Sequence, residues 1–332
     1  MKNLFLSSLA LAAALSASAQ RQTLTLSDGW SFSRDNVEWT DVRIPHDWAI
    51  AGPFDKKWDL QFVAIEQNGE TEKTEKSGRS GALPWIGEGH YRTKVKLPKG
   101  YSRAVLMIDG AMSQPTVFIN GKKAGYWAYG YNAFNIDATD YLKFDGSENE
   151  IVIDLKNVEE SSRWYPGGGL YRPVRLLLTG KCQFAPWETV IRTVSADASK
   201  ATVSVSAKLT DFPKGCTVNA EILDSKGSKV CLVNCAPKNG EINIPNISIT
   251  NPSLWSPESP YLYTLRLSVV KGNNKVLDQE TTRFGIRTIS VSKEGGFQLN
   301  GVSRKIKGVC LHHDLGPLGA AENKAALIRQ IK

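Results

Sequence analysis

The sequence predicts a mainly β protein: two consecutive β-sandwiches, then one strand–loop–helix unit that opens an α/β domain. Three observations carry this. Short strand-like runs punctuated by turn dipeptides recur from about residue 20 to residue 290, with no helical run among them. In the second half of that region the apolar residues alternate strictly, as on half-buried strands. Only after Gly296 does an apolar-rich strand-like run lead through a polar loop into a segment with helical spacing.

Residues 1–19 read as a leader and not as part of the fold. Lys2 gives a basic start, Leu4 to Leu15 is apolar, and Ala17-Ser18-Ala19 is a small-x-small cleavage site. The apolar run is too short to span a bilayer. The expected address is secreted or periplasmic, with no membrane partner. The formal net charge is +8, but Lys and Arg are scattered among the strands and do not form a stripe. With secretion, that argues against a nucleic-acid partner.

The first β region, residues 20–181, holds runs at Ala104–Ile108, Pro115–Ile119, Ile151–Leu155 and Val174–Leu178. Asp109-Gly110, Asn120-Gly121 and Asp145-Gly146 separate them, and Asn-Gly between two apolar runs is a strong hairpin signal. Glu66 to Ser80 is polar and reads as a surface loop. Some 160 residues of short strands without helices suggest a two-sheet sandwich of jelly-roll type.

The second region, residues 182–290, alternates through Val203, Val205, Ala207 and Leu209, then Val218, Ala220 and Ile222, then Tyr263, Leu265, Leu267 and Val269. About seven strands in this length fit an immunoglobulin-like sandwich, by architecture alone because the Cys…Trp…Cys spacing of antibody domains is missing. In residues 291–332, Val302 to Cys310 reads as a buried strand, HHDLG as a loop, and Glu322 to Lys332 as a helix with Leu327, Ile328 and Ile331 on one side. A lone parallel strand cannot stand without neighbours and cover.

Five cysteines leave an odd thiol in an oxidising compartment. Cys231 and Cys235 would lie about 13 Å apart on one extended strand, beyond disulfide reach. A lone C-x₃-C is too few ligands for zinc. Buried apolar thiols are the simpler reading.

Several longer motifs occur in order: IPHDW (residues 44–48), GEGHYRTKVKLP (87–98), SSRWYPGGGLYRPVRLL (161–177), LWSPESPYLYTLRL (254–267), TRFGIRTI (282–289) and LNGVSRKIKGVCLHHDLG (299–316). Together they resemble glycoside hydrolase family 2, the β-galactosidases, β-glucuronidases and β-mannosidases, and most of all its secreted bacterial β-galactosidase-like members. The resemblance implies a jelly-roll sugar-binding domain (20–181), an immunoglobulin-like sandwich (182–290) and the start of a (β/α)₈ catalytic barrel (291–332), truncated here. It also implies a retaining hydrolase of terminal β-glycosidic bonds whose substrate partner is an oligosaccharide or polysaccharide.

Retention needs two carboxyl groups about 5–5.5 Å apart, one acid/base and one nucleophile. In the family both are Glu from later barrel strands, so the resemblance implies that this chain alone is inactive and that none of its residues is catalytic. The one Asn-Glu pair, Asn149-Glu150, sits at a turn entering a sandwich strand and not at a barrel strand end.

The resemblance assigns His312 to sugar binding, a task a neutral imidazole suits by offering one donor and one acceptor. Asp314 stands at the same strand end, and Arg163 and Trp164 belong to the motif by which the first domain approaches the barrel mouth. An aromatic face and a rigid guanidinium fork suit sugars, while interdomain packing is the bland alternative for both. His313 should point away from His312. Asp47 and Trp48 read as structural.

Gly167 to Gly169 lack a following Gly-Lys-Ser/Thr and are no phosphate loop. The dispersed His46 and His90 suggest no metal, and no cofactor is expected. Oligomeric state is open, a homo-oligomeric parent included. The alternative to a hydrolase is a non-catalytic carbohydrate-binding or interaction module.

Overall fold

The computed structural model describes residues 21–58, 85–158, 165–311 and 315–332. The expected leader and the loop Glu66–Ser80 lie outside the described residues. The chain forms two compact units, one of residues 22–181 with 305–332, the other centred on residues 182–304. No helix among the described residues is long and apolar enough to cross a membrane.

The first unit is a two-sheet sandwich. One sheet runs in the order Thr40–Val42, Trp30–Ser33, Glu88–Lys96, Glu148–Lys156, Thr116–Ile119 and Lys122–Tyr126; the other runs Arg21–Thr25, Val174–Thr179, Arg103–Ile108 and Phe134–Asp137. Period-2 patterning explains the layers. Tyr91 pairs with Ile153 and Thr93 with Ile151, all buried, while Arg92 and Lys94 between them point outward. The core also holds Trp30, Leu106, Ile108, Ile119 and Leu176.

Asn120-Gly121 makes the expected hairpin, both residues at positive φ (50° and 75°). The Asn149 side chain is a turn clamp. It accepts from the Lys143 amide (2.7 Å) and from Asn120 Nδ2 (2.8 Å), and donates to the Lys143 carbonyl (3.0 Å). A side chain so engaged and fully buried is structural, as the sequence suggested.

The second unit packs two sheets over a common core. Glu241–Thr250 pairs with Lys200–Thr210, along whose other edge lie Gln183–Phe184 and Val190–Ala196. The facing sheet runs Lys229–Cys235, Thr217–Leu223, Tyr263–Lys271 and Lys275–Phe284. Val203, Val205, Val218, Ala220, Leu265 and Leu267, alternating in the sequence, meet in that core. None of the five cysteines is disulfide-bonded. Cys182 and Cys216 are buried, and burial pushes the Cys182 thiol up to about 12.

The expectation of one strand over Val302–Cys310 needs correction. Only Val302–Ser303 is extended in a ladder, as the last strand of a meander with Ile289–Ser292 and Gly296–Leu299. Asn300 fastens the meander to the sandwich, donating to the Trp255 carbonyl (3.0 Å) and accepting from the Thr288 amide (3.0 Å). The Arg304 amide still donates to the Phe297 carbonyl (2.9 Å), but residues 305–311 lie in no strand ladder among the described residues and leave Ile306, Val309 and Leu311 at 77%, 84% and 72% exposure. A strand's backbone bonds come from a neighbour, so apolar content alone does not make one. The helix forms over Lys324–Ile331, capped by Asn323, whose side chain accepts from the Ala326 amide (3.0 Å).

Asp278 is the buried charge of the second unit. It accepts from Arg21 Nη1 (2.6 Å) and from the amides of Phe184 (2.8 Å) and Gln279 (2.9 Å). Replacing it takes the acceptor from the Phe184 amide and leaves Arg21 only its longer contacts to Glu280 and the Phe184 carbonyl, both 3.4 Å. Asp278→Ala is expected to cost the unit of residues 182–304 about 3–5 kcal/mol in urea unfolding, while breaking the solvent-exposed Lys94–Glu148 pair in the other unit should leave the unfolding midpoint unmoved.

Candidate functional site

Arg163, Trp164, His312 and Asp314 all lie outside the described residues, as does His313. Their nearest described neighbours in the chain, Tyr165 and Leu315, belong to two segments that meet on one buried carboxylate. Asp47 Oδ1 accepts from the amides of Ala49 and Gly168, each at 2.9 Å; Oδ2 accepts from the Tyr165 hydroxyl (2.5 Å) and from the Ala320 amide (2.8 Å). Three segments far apart in sequence, around residues 44–51, 165–171 and 315–322, thereby share one anion.

Local chemistry prepares each segment. Asp47 is extended (φ −117°, ψ 109°) and caps the single turn Trp48–Ala51. The glycine strap then lies along it: the Trp48 amide donates to the Gly168 carbonyl (3.1 Å) and the His46 amide to the Leu170 carbonyl (2.8 Å). Gly169 (φ 106°) also exchanges two backbone bonds with Met112 (2.9 and 3.0 Å), and a side chain there would collide with the Tyr91 hydroxyl. Gly167 (φ 70°) sits against the Ala320 methyl with no room for a Cβ. On the third segment, the Leu315 amide donates to the Gly319 carbonyl (2.7 Å) and the Glu322 amide to the Tyr171 carbonyl (2.8 Å).

The electrostatics follow from burial. Asp47 is 1% exposed, and burial raises its carboxyl above the usual range against the pull of its four donors. Burial lowers the His46 imidazole to about 4; its Nδ1 lies 2.7 Å from the Tyr91 hydroxyl. Burial, and then the charge of Asp47, raises the Tyr91 phenol. Closed off from solvent, Asp47 cannot touch a substrate. What it does is place backbone.

Beside His46 opens a cleft of about 350 Å³ bordered by Phe32, Arg34, Asp35, Glu38 and Trp48. Another depression, of about 560 Å³, belongs to the unit of residues 182–304 and is lined by Ser225, Tyr261, Thr264 and Arg283. Tyr261, Thr264 and Arg283 fall in the motifs at 254–267 and 282–289, but the depression holds none of the expected sugar-binding residues. Among the described residues no group of three or more His, Cys, Asp or Glu could hold a metal.

The sequence marked the IPHDW and glycine motifs but not their meeting point. Tyr165 and Ala320 carried no sign of it, since nothing local announces a partner 118 or 273 positions away.

Two β-sandwich units, the first carrying a loop-and-helix segment pinned to a buried Asp, define a modular β-protein. Comparison with known proteins gives its kind. The profile of glycosyl hydrolases family 2 matches residues 188–287. The chain is 36% identical over 308 residues to the β-galactosidase BoGH2A of Bacteroides ovatus, covering 89% of this chain and 34% of that protein. It is 33% identical to a putative β-glucuronidase of Formosa agariphila, covering 91% of this chain and 28% of that protein. A solved structure of a glycosyl hydrolase family 2 member from Bacteroides cellulosilyticus superposes with a TM-score of 0.80 at 31% identity, over 94% of this chain and 41% of that one. The chain belongs to glycosyl hydrolases family 2, and it spans about a third of the length of the curated relatives it matches.

Two measurements check the site. Asp47→Ala leaves the Gly168 and Ala320 amides and the Tyr165 hydroxyl without their acceptor. The first unit should lose on the order of 3 kcal/mol, with hydrogen exchange rising at Ala320 and Gly168 before it rises in the sheets. His46 gives the pH dependence. Its folded pKa is depressed, so the unfolded chain takes up a proton that the folded chain refuses. Stability should therefore fall as pH drops from about 6.5 toward about 4, by up to about 3 kcal/mol. In His46→Gln that part of the pH dependence should vanish; an unchanged slope would contradict a buried neutral imidazole.

Proposed function

We propose that this chain supplies the two β-sandwich modules and the entry to the catalytic domain of a secreted, retaining β-glycosidase of β-galactosidase type. Its substrate would be the terminal β-linked sugar of an oligosaccharide or polysaccharide. The observation that carries this reading is the 36% identity to a β-galactosidase over 89% of the chain. The leader-like residues 1–19 support secretion.

The Asp47 junction gives the reading a physical rationale. A glycosidase holds its sugar between groups from different parts of the chain, and those groups must be fixed to fractions of an ångström. Here the carboxylate joins the strap that follows Arg163 and Trp164 to the loop that follows His312 and Asp314. In this reading those four side chains bind sugar, and the two carboxyl groups of double displacement come from the longer protein.

The test is direct. The full reading frame of the locus, expressed and purified, should hydrolyse 4-nitrophenyl β-D-galactopyranoside with retention of configuration, while the 332-residue chain alone turns over neither this nor the β-glucuronide. Turnover of the β-glucuronide in preference would reassign the sugar. Turnover by the 332-residue chain itself would sink the assignment of the catalytic pair.

A further inference from the structure

The depression of about 560 Å³ in the unit of residues 182–304 has a one-sided chemistry. Its polar lining consists of the Arg283 guanidinium, the Tyr261 phenol and the hydroxyls of Ser225, Ser259 and Thr264. Every one of these groups can donate a hydrogen bond, and none is a carboxylate. Thr264 and Arg283 lie opposite each other on the antiparallel strands Tyr263–Lys271 and Lys275–Phe284. Both side chains therefore stand on the face away from the buried Leu265 and Leu267.

The walls are held in place. The Asp224 carboxylate accepts from the amides of Lys226 (2.9 Å) and Ser228 (2.8 Å), which fixes the turn that carries Ser225. Ser256 and Ser259 exchange two backbone bonds (3.0 and 3.1 Å) in the turn before Pro260. Tyr261 stands edge-on to Tyr263 with ring centroids 5.0 Å apart, and its hydroxyl oxygen accepts from the Ser225 amide (3.2 Å). That bond uses a lone pair and leaves the phenolic proton to be donated. The carboxylates that flank these segments in the chain are engaged. Asp224 closes its own turn, Glu221 pairs with Lys229 (3.5 Å) and Arg266 (2.8 Å), and Glu258 pairs with Arg304 (2.6 Å). Arg283 is exposed and has no ion-pair partner among the described residues.

We propose that this depression binds a small organic anion, whose carboxylate, sulfate or phosphate group pairs with Arg283 and accepts from Tyr261 and Ser225. Three features select that class. An unpaired guanidinium offers two parallel N–H donors, the geometry that two oxygens of one oxyanion accept. A cationic ligand would meet repulsion from Arg283 and no carboxylate to offset it. A neutral alcohol could bond the hydroxyls, but it would leave the guanidinium unpaired. The volume falls in the range of about 300–1,000 Å³ usual for small-molecule sites, and Pro260 and Leu262 give the body of an organic ligand an apolar wall. The inference involves no catalytic step and does not rest on the glycosidase reading.

The experiment is titration of the 332-residue chain, ¹⁵N-labelled and at constant ionic strength, with benzoate, phenyl sulfate and phenyl phosphate. Benzyl alcohol serves as the neutral control. At least one anion should shift the Ser225 amide resonance saturably, because that amide bonds the Tyr261 hydroxyl. The affinity should fall about tenfold or more in Arg283→Gln, and by less in Arg283→Lys, which keeps the charge but not the planar pair of donors. Tyr261→Phe removes one donor and should weaken binding severalfold. Arg283 is exposed, so its variants should keep the fold, read as an unchanged amide spectrum away from the depression. The order of affinity among the three probes identifies the oxyanion. The proposal is overturned if none of the three shifts Ser225 saturably, if benzyl alcohol binds as tightly as the anions, or if Arg283→Gln binds with undiminished affinity.

Discussion

The first unit depends on one buried negative charge. Asp47 has lost its water, and burial disfavours its ionised form. It is tolerated because three backbone amides and a phenol converge on two oxygens. Such a group is a constraint as much as a source of stability. Any arrangement that moved residues 165–171 or 315–320 away would leave either the carboxylate or those donors unpaired, and each such loss is expensive inside a protein. The neighbouring features follow from it. The glycines at 167–169 exist where backbone must pass against Trp48, Tyr91 and Ala320 without side chains, and His46, half-buried between the Tyr91 hydroxyl and the cleft, is pushed toward its neutral form by that burial.

What was legible in the sequence was what is local. The Asn120-Gly121 hairpin could be read because positive φ at two successive residues is a property of those residues themselves. The alternation of Val203, Val205 and Ala207 marked the buried face of a strand for the same reason, since side-chain direction is set by the pleat. The Asn149-Glu150 pair could be set aside because a turn entering a strand is a poor place for a catalytic acid, and its amide is fully used in closing that turn.

What was not legible is relational. Asp47 could be read as structural, but its partner at Ala320 is 273 residues away. The start of the last helix slipped because Asn323, not the residues before it, supplies the cap. The four residues that the motifs single out for sugar binding, Arg163, Trp164, His312 and Asp314, lie outside the described residues.

The run from Val302 to Leu311 sharpens the point. Its composition is that of a buried strand, yet beyond Arg304, whose amide still donates to the Phe297 carbonyl (2.9 Å), it lies in no strand ladder among the described residues, and Ile306, Val309 and Leu311 face outward. Each such side chain, if covered, would be worth roughly 1.5–3 kcal/mol, so the run holds several kcal/mol of unsatisfied burial. Past the run, the chain is held again within its own unit, where Asp47 accepts from the Ala320 amide (2.8 Å). Composition therefore sets how much burial the run can gain, and only a neighbouring strand and apolar cover can realise it.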